Sequence, residues 1–175
     1  NGIKILFTDG EECGLLGAKE AVKEKEIFEG VNYVINIEAR GTSGPAIMFE
    51  TSPNNKGVLD LYESTDKQYS YSITPEIYRL LPNGTDFTVF LENNLKGVNI
   101  SVLDGLENYH TPNDNPDNLS DKSMQHYGDQ VLPIVKEFVL NEKYSNSDVF
   151  ESEEDSIFFT LGNKFKDVTL SHFDT

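Results

Sequence analysis

Tryptophan is absent from this chain of 175 residues, cysteine occurs once and histidine three times. A lone thiol, Cys13, excludes an intrachain disulfide and any zinc cluster built on thiolates, and it says little about compartment. Cationic side chains are also scarce: 14 Lys and Arg stand against 30 Asp and Glu, a formal charge of −16. Such an excess of negative charge argues against a phosphate-binding face, and hence against nucleic acid or an anionic membrane surface as partner. No apolar run reaches membrane-spanning length, so no membrane contact is expected from this segment, whatever anchor a full-length protein carries elsewhere. What is present is an ordinary globular composition, 37% apolar and 11% aromatic, enough at this length for one domain with a real core.

Hydrophobic periodicity divides the chain into alternating strands and helices. Ile3 to Phe7 reads as a buried strand, and Cys13 to Lys25, with Leu15, Leu16, Ala18 and Val22, as the helix after it. Asn32 to Glu38 and Ala46 to Thr51 are two further strands, and Gly97 to Leu103 another. Helical spacing of Val58, Leu59, Leu61 and Tyr62 marks a helix within Asn54 to Asp66; Thr85 to Glu92 forms a short one after the Pro82-Asn83-Gly84 turn. A long amphipathic helix runs from about Asp121 to Asn141, with Leu132, Val135, Phe138 and Val139 on its apolar side. Beyond Tyr144 the pattern lapses into a polar acidic stretch and then a Phe-rich segment, Ile157 to Leu161. Residues 1–144 therefore read as one folded portion, and 145–175 as an acidic linker leading into a following region. Alternating strands and helices imply an α/β sheet covered on both faces, with ligands at the carboxyl ends of its strands. Glu11, Glu12 and Glu38 all fall at such ends.

The motif Asp9-Gly10-Glu11-Glu12 closes the first apolar run, and Tyr109-His110-Thr111-Pro112-Asn113-Asp114 lies far downstream. Adjacent glutamates at a strand end, answered by a lone histidine in a Pro-containing loop, read as half of a metal-hydrolase site. One carboxylate can bind a cation while its neighbour, pointing elsewhere, handles protons. His126, inside the last long helix, and His172, in the tail, read as ordinary structural or surface histidines. The three sequons, at Asn83, Asn99 and Asn118, are about what chance gives in an Asn-rich chain, and one lies in a strand expected to be buried.

Taken in order, FTDGEECGLLGAK, NIEARGTSGPAIMFET, the GTDFTVF segment and YHTPNDNPDNLS before a long helix resemble the co-catalytic zinc aminopeptidase superfamily. That superfamily includes bacterial leucyl aminopeptidases, glutamate carboxypeptidase and the transferrin receptor, and the middle motif is most similar to the branch of the fungal vacuolar membrane protease. The resemblance covers about residues 3 to 141. It implies a three-layer sandwich with a mixed, mostly parallel central sheet flanked by helices, its N-terminal strands missing. Position by position it implies that Glu11 is the general base, that Glu12 and His110 ligate one zinc, and that Glu38 ligates the other; most members carry aspartate at the last of these. Two zinc ions are implied for the full-length protein and a partial site here, because the family's upstream His-x-Asp motif and bridging aspartate match nothing in the chain.

Tyr109 stands where related aminopeptidases hold a tyrosine that hydrogen-bonds the developing oxyanion, and packing is the alternative. Arg40 can meet a substrate carboxylate or pair with a nearby acid. Asp86 matches an acidic position near the family's site and is expected to support it from behind. Gly10, Gly14 and Gly17 serve turn geometry and close helix packing. The function implied is a zinc-dependent exopeptidase acting on peptide substrates, located outside the cytoplasm at a cell surface or in a vacuolar lumen, with residues 1–175 alone inactive. The alternatives are a glutaminyl cyclase-like enzyme with one zinc and a receptor-like interaction domain without catalysis.

Overall fold

The computed structural model describes residues 1–80, 84–162 and 164–170. Its organising strand is β3, Gly97–Asp104, in which Gly97 to Val102 are all buried. A strand buried on both sides belongs in the middle of a sheet, and β3 lies there, with Asn99 and Ser101 as its buried polar residues, between β1, Val34–Ala39, and β2, Ser43–Thr51. It runs parallel to β1, with Val34 opposite Gly97 and Ala39 opposite Val102, and antiparallel to β2. The sheet is thus mixed, one pairing of each kind.

Alternate side chains of β1 face opposite ways. Ile35 packs with the larger core, formed by Met48, Val98 and Ile100 of the sheet, by Val58, Leu59, Leu61 and Tyr62 of α3 (Lys56–Glu63) and by Tyr127 and Ile134 of α6 (Asp121–Leu140). Val34 packs with the smaller one, which joins Ala18 of α1 (Leu16–Ala21) to Phe87, Val89 and Phe90 of α5 (Asp86–Glu92). Helices therefore cover both faces, giving the expected three layers. His126 serves structure: its Nδ1 accepts the Ala46 N–H at 2.9 Å, fastening α6 to β2. His172 and the Pro82-Asn83 part of the predicted turn lie outside the described residues. Asn99, one of the sequon asparagines, is fully buried.

Three expectations change. Ile3 to Phe7 forms no strand; Ile5 and Phe7 are 79% and 91% exposed, because the described residues place no neighbour along the edge of β1 that faces away from β3. An extended run without a ladder partner has nothing to satisfy its backbone but water. Lys4 is held, its ammonium donating to the carbonyls of Glu26, Ile27 and Glu29 at the end of α2 (Lys25–Phe28) at 2.9, 3.0 and 2.8 Å. The helix expected from Cys13 contracts to α1, which starts only after Gly14 and Leu15 in left-handed conformations. A helix the pattern did not announce, α4, spans Ile73–Arg79.

The stretch after Tyr144, expected as a linker, is packed. β4, Ser156–Leu161, and β5, Lys164–Thr169, form a hairpin whose Phe158 and Phe165 belong to the larger core. Residues 69–72 link it to the main sheet: the Met48 N–H donates to the Tyr69 carbonyl at 2.9 Å, and the Ser72 N–H to that of Phe158 at 2.8 Å. Strict alternation of buried and exposed residues along β4 is the half-buried strand pattern, set within acidic sequence that dilutes it.

Candidate active site

Glu11 and Glu12 sit on a turn folded back onto the start of α1. The carbonyl of Glu11 accepts the N–H of Gly14 at 3.0 Å and of Leu15 at 2.8 Å, while the carbonyl of Asp9 accepts that of Gly17 at 2.8 Å. Gly10 adopts φ +68°, a left-handed geometry that costs glycine nothing. Gly17 allows the close approach, since a Cβ there would lie 2.5 Å from the Asp9 oxygen. The two glutamates differ in exposure, Glu11 half-buried and Glu12 exposed, and they lie on a turn rather than at the end of a strand.

Glu12 meets His110 across 98 residues of sequence: His110 Nε2 lies 2.8 Å from Glu12 Oε1. The imidazole is stacked on the Tyr109 ring, centroids 3.7 Å apart and planes 22° from parallel. Above the Tyr109 ring sits the Arg40 guanidinium, 5.4 Å from its centroid. Glu38 lies near the carboxyl end of β1; its carboxylate accepts the Ala39 N–H at 2.9 Å, and its carbonyl accepts the Tyr127 hydroxyl. Asp86, only 5% exposed at the start of α5, accepts the Thr8 hydroxyl at 2.5 Å through Oδ2, and its Oδ1 has no partner.

This crowding of acids is visible in their ionisation. Burial first, then Glu11, Asp86 and Glu12, raises the Glu38 carboxyl from an ordinary 4.5 to about 7, although the Ala39 N–H pulls the other way. Glu11 is raised by partial burial, by Glu12 and by Asp86, with His110 partly opposing them. Tyr109 is raised by partial burial and by Glu12, with Arg40 pulling down, so its phenol stays protonated and able to donate at neutral pH.

A cavity of about 260 Å³ opens between these groups. Glu11, Glu12, Glu38, Arg40 and Tyr109 line it together with Phe49, Thr74, Ile77, Tyr78 and Leu103. The largely apolar part of the lining escaped sequence reasoning because it is gathered from three separate elements, Phe49 from β2, Thr74, Ile77 and Tyr78 from α4, and Leu103 from β3. A signal did exist in Ser72-Ile73-Thr74-Pro75: proline near the start of a run is a helix-start cue. Burial, then Glu50, drives the phenol of Tyr78 up to about 12.

Carboxylates and an imidazole are a suitable donor set for zinc, and a cation is the natural partner for acids gathered as closely as Glu11, Glu12 and Glu38 around one cavity. Glu12 and His110 are two such donors in contact. Among the described residues no three of His, Cys, Asp and Glu are grouped closely enough to hold an ion. The residues present therefore fit part of a zinc site.

The model of peptidase family M28 matches residues 1–135. The chain belongs to peptidase family M28. Endoplasmic reticulum metallopeptidase 1 of Mus musculus is 24% identical to this M28 chain over 166 residues, covering 93% of it and 18% of the relative. The vacuolar membrane protease of Lodderomyces elongisporus is 28% identical over 175 residues, covering 97% of the chain and 18% of the relative. The chain thus spans about a fifth of the length of these relatives. Among solved structures, the aminopeptidase from Aneurinibacillus sp. strain AM-1 superposes with a TM-score of 0.50 at 22% identity, covering 73% of this chain and 31% of that one, a likeness of fold.

Proposed function

We propose that this chain is the later part of the catalytic domain of a zinc-dependent aminopeptidase that removes N-terminal residues from peptides. The observation that carries the proposal is the 2.8 Å contact of His110 with Glu12 at the rim of a cavity that Glu11 and Glu38 also line. In this reading Glu12 and His110 hold one ion and Glu38 contributes to a second, with donors from outside these residues completing both. Bound zinc would polarise the scissile carbonyl and acidify the attacking water.

Each remaining role follows from position. Glu11, half-buried beside Glu12 and with its proton affinity raised, is suited to take a proton from water and return it to the leaving amine. The Tyr109 hydroxyl, kept protonated, donates to the oxygen on which negative charge develops. Acids around the mouth attract the substrate's α-ammonium, and the wall of Phe49, Ile77 and Leu103 takes an apolar side chain. Asp86 braces the segment before Glu11 through Thr8. In this reading the protein works outside the cytoplasm, at a cell surface or in a vacuolar lumen, and the similarity to proteins named for the endoplasmic reticulum and the vacuolar membrane supports a membrane-associated compartment.

The test uses the full-length protein. Glu11→Gln is expected to retain zinc and lose at least about a hundredfold in hydrolysis of an aminoacyl-anilide, and Glu12→Gln to lose zinc itself. Zinc loss in Glu11→Gln alone would exchange the two roles, and full activity in both variants would end the proposal.

A further inference from the structure

The loop that carries His110 is fastened to the turn between β1 and β2 at several points. The Thr42 carbonyl accepts the Ser120 N–H at 2.9 Å, and Asn108 Nδ2 donates to Thr42 Oγ1 at 2.9 Å. Thr42 is itself buried, 3% exposed, and Gly105 passes so close that a Cβ there would lie 2.5 Å from the Thr42 hydroxyl. Those ties fix the loop but stop short of the imidazole. His110 has φ +56°, a left-handed conformation that a side-chain-bearing residue keeps only when its surroundings hold it, and its side chain is 55% exposed. Besides Glu12 at its Nε2, what reaches the ring is the stack: Arg40 over Tyr109, Tyr109 over His110.

We propose that Arg40 is a positioning residue for His110: its guanidinium holds the Tyr109 ring, and that ring holds the imidazole toward Glu12. The inference rests on the function proposed above, in which His110 and Glu12 share an ion. It gives Arg40 a task other than gripping a substrate carboxylate. It also makes Tyr109 two things at once, a hydroxyl donor and a platform, and the two are separable by substitution. Because Arg40 lies two residues past Glu38, just beyond the end of β1, one short segment sets both halves of the site.

The measurement is the zinc affinity of the full-length protein by chelator competition, together with the melting temperature of each metal-free variant. Arg40→Met is expected to weaken zinc binding about twofold to thirtyfold, the range of a cation–π contact from exposed to desolvated settings. Arg40→Lys, which keeps a cation over the ring, should recover part of that loss. Tyr109→Phe, which keeps the platform, should bind zinc as the parent does, and Tyr109→Leu should weaken it as Arg40→Met does. Melting temperatures should not move.

Parental affinity in Arg40→Met, with affinity lost in His110→Ala, would overturn the positioning role and leave the site standing. Parental affinity in His110→Ala as well would overturn the zinc site and the inference together. Equal losses in Tyr109→Phe and Tyr109→Leu, or a lower melting temperature in Arg40→Met, would also refute the stack.

Discussion

Glu38→Gln should stabilise the metal-free protein at alkaline pH, and the size of the effect follows from the acid cluster. Glu38 is half-buried among Glu11, Glu12 and Asp86, and its carboxyl ionises near pH 7 where an ordinary one would do so at 4.5. That difference disfavours the charged form by about 3 kcal/mol, and partial solvent exposure reduces the effect on stability to about 1.5–2 kcal/mol. The native state holds the proton more tightly than the unfolded chain, so stability is complete below pH 4.5 and falls as pH rises to about 7, with the loss constant above. An uncharged amide removes that loss while its oxygen can still accept the Ala39 N–H, which Glu38 now accepts at 2.9 Å. Urea unfolding with a chelator present should therefore show parent and variant alike at pH 4.5, and the variant more stable by about 1.5–2 kcal/mol at pH 8. Equal stability at pH 8, or an advantage that grows as pH falls, would refute the account of the cluster.

Other perturbations test the frame around the site. Gly17→Ala forces a Cβ against the Asp9 backbone, 2.5 Å from its oxygen, and should cost about 1–3 kcal/mol in unfolding experiments while displacing the Glu11–Glu12 turn and lowering hydrolysis. Tyr127→Phe removes the hydroxyl that donates to the Glu38 carbonyl and accepts the Val102 N–H at 2.7 Å; a loss of about 1–3 kcal/mol is expected, read by thermal unfolding. Residues 1–175 alone should show no aminoacyl-anilide hydrolysis even with added zinc, since two donors in contact fall short of zinc's usual four; activity abolished by chelator and by Glu11→Gln would contradict this.

Where a continuous run of residues carries its own burial pattern, the sequence was readable. β3 announced itself because Val98, Ile100 and Val102 are buried and so are the residues between them, and α3 through its apolar stripe; α6 was legible as a helix, but it buries Ser123, Tyr127, Gln130 and Ile134 and leaves Leu132, expected on its apolar side, exposed. Glu11, Glu12 and His110 stand out locally as candidates, Glu38 and Tyr109 were singled out through the family resemblance, and the fold brings Glu11, Glu12, Glu38 and Tyr109 to one cavity. Other features depend on distant partners. Ile73 and Ile77 of α4 are 62% and 54% exposed, so that helix has no buried stripe to show. Ile3 to Phe7 has the pattern of a strand but no neighbour among the described residues to make it one. The stack of Arg40, Tyr109 and His110 joins residues whose spacing in sequence says nothing of contact. Phe158 and Phe165 were read outside the core because the acidic residues around them dominate a local average.

The late position of that hairpin bears on how the protein emerges during synthesis. Asn55, before α3, exchanges hydrogen bonds with Ser156, 101 residues later: its Nδ2 donates to the Ser156 carbonyl at 3.1 Å and its Oδ1 accepts the Ser156 N–H at 2.8 Å. Tyr62 likewise waits for Phe165, whose ring lies 5.1 Å from its own. At translation rates of 5–20 residues per second, a gap of about a hundred residues lasts roughly 5 to 20 seconds. Through that interval Met48, Tyr62 and their neighbours have left the ribosome without the aromatic side chains that complete their core, a surface suited to chaperones or to premature association.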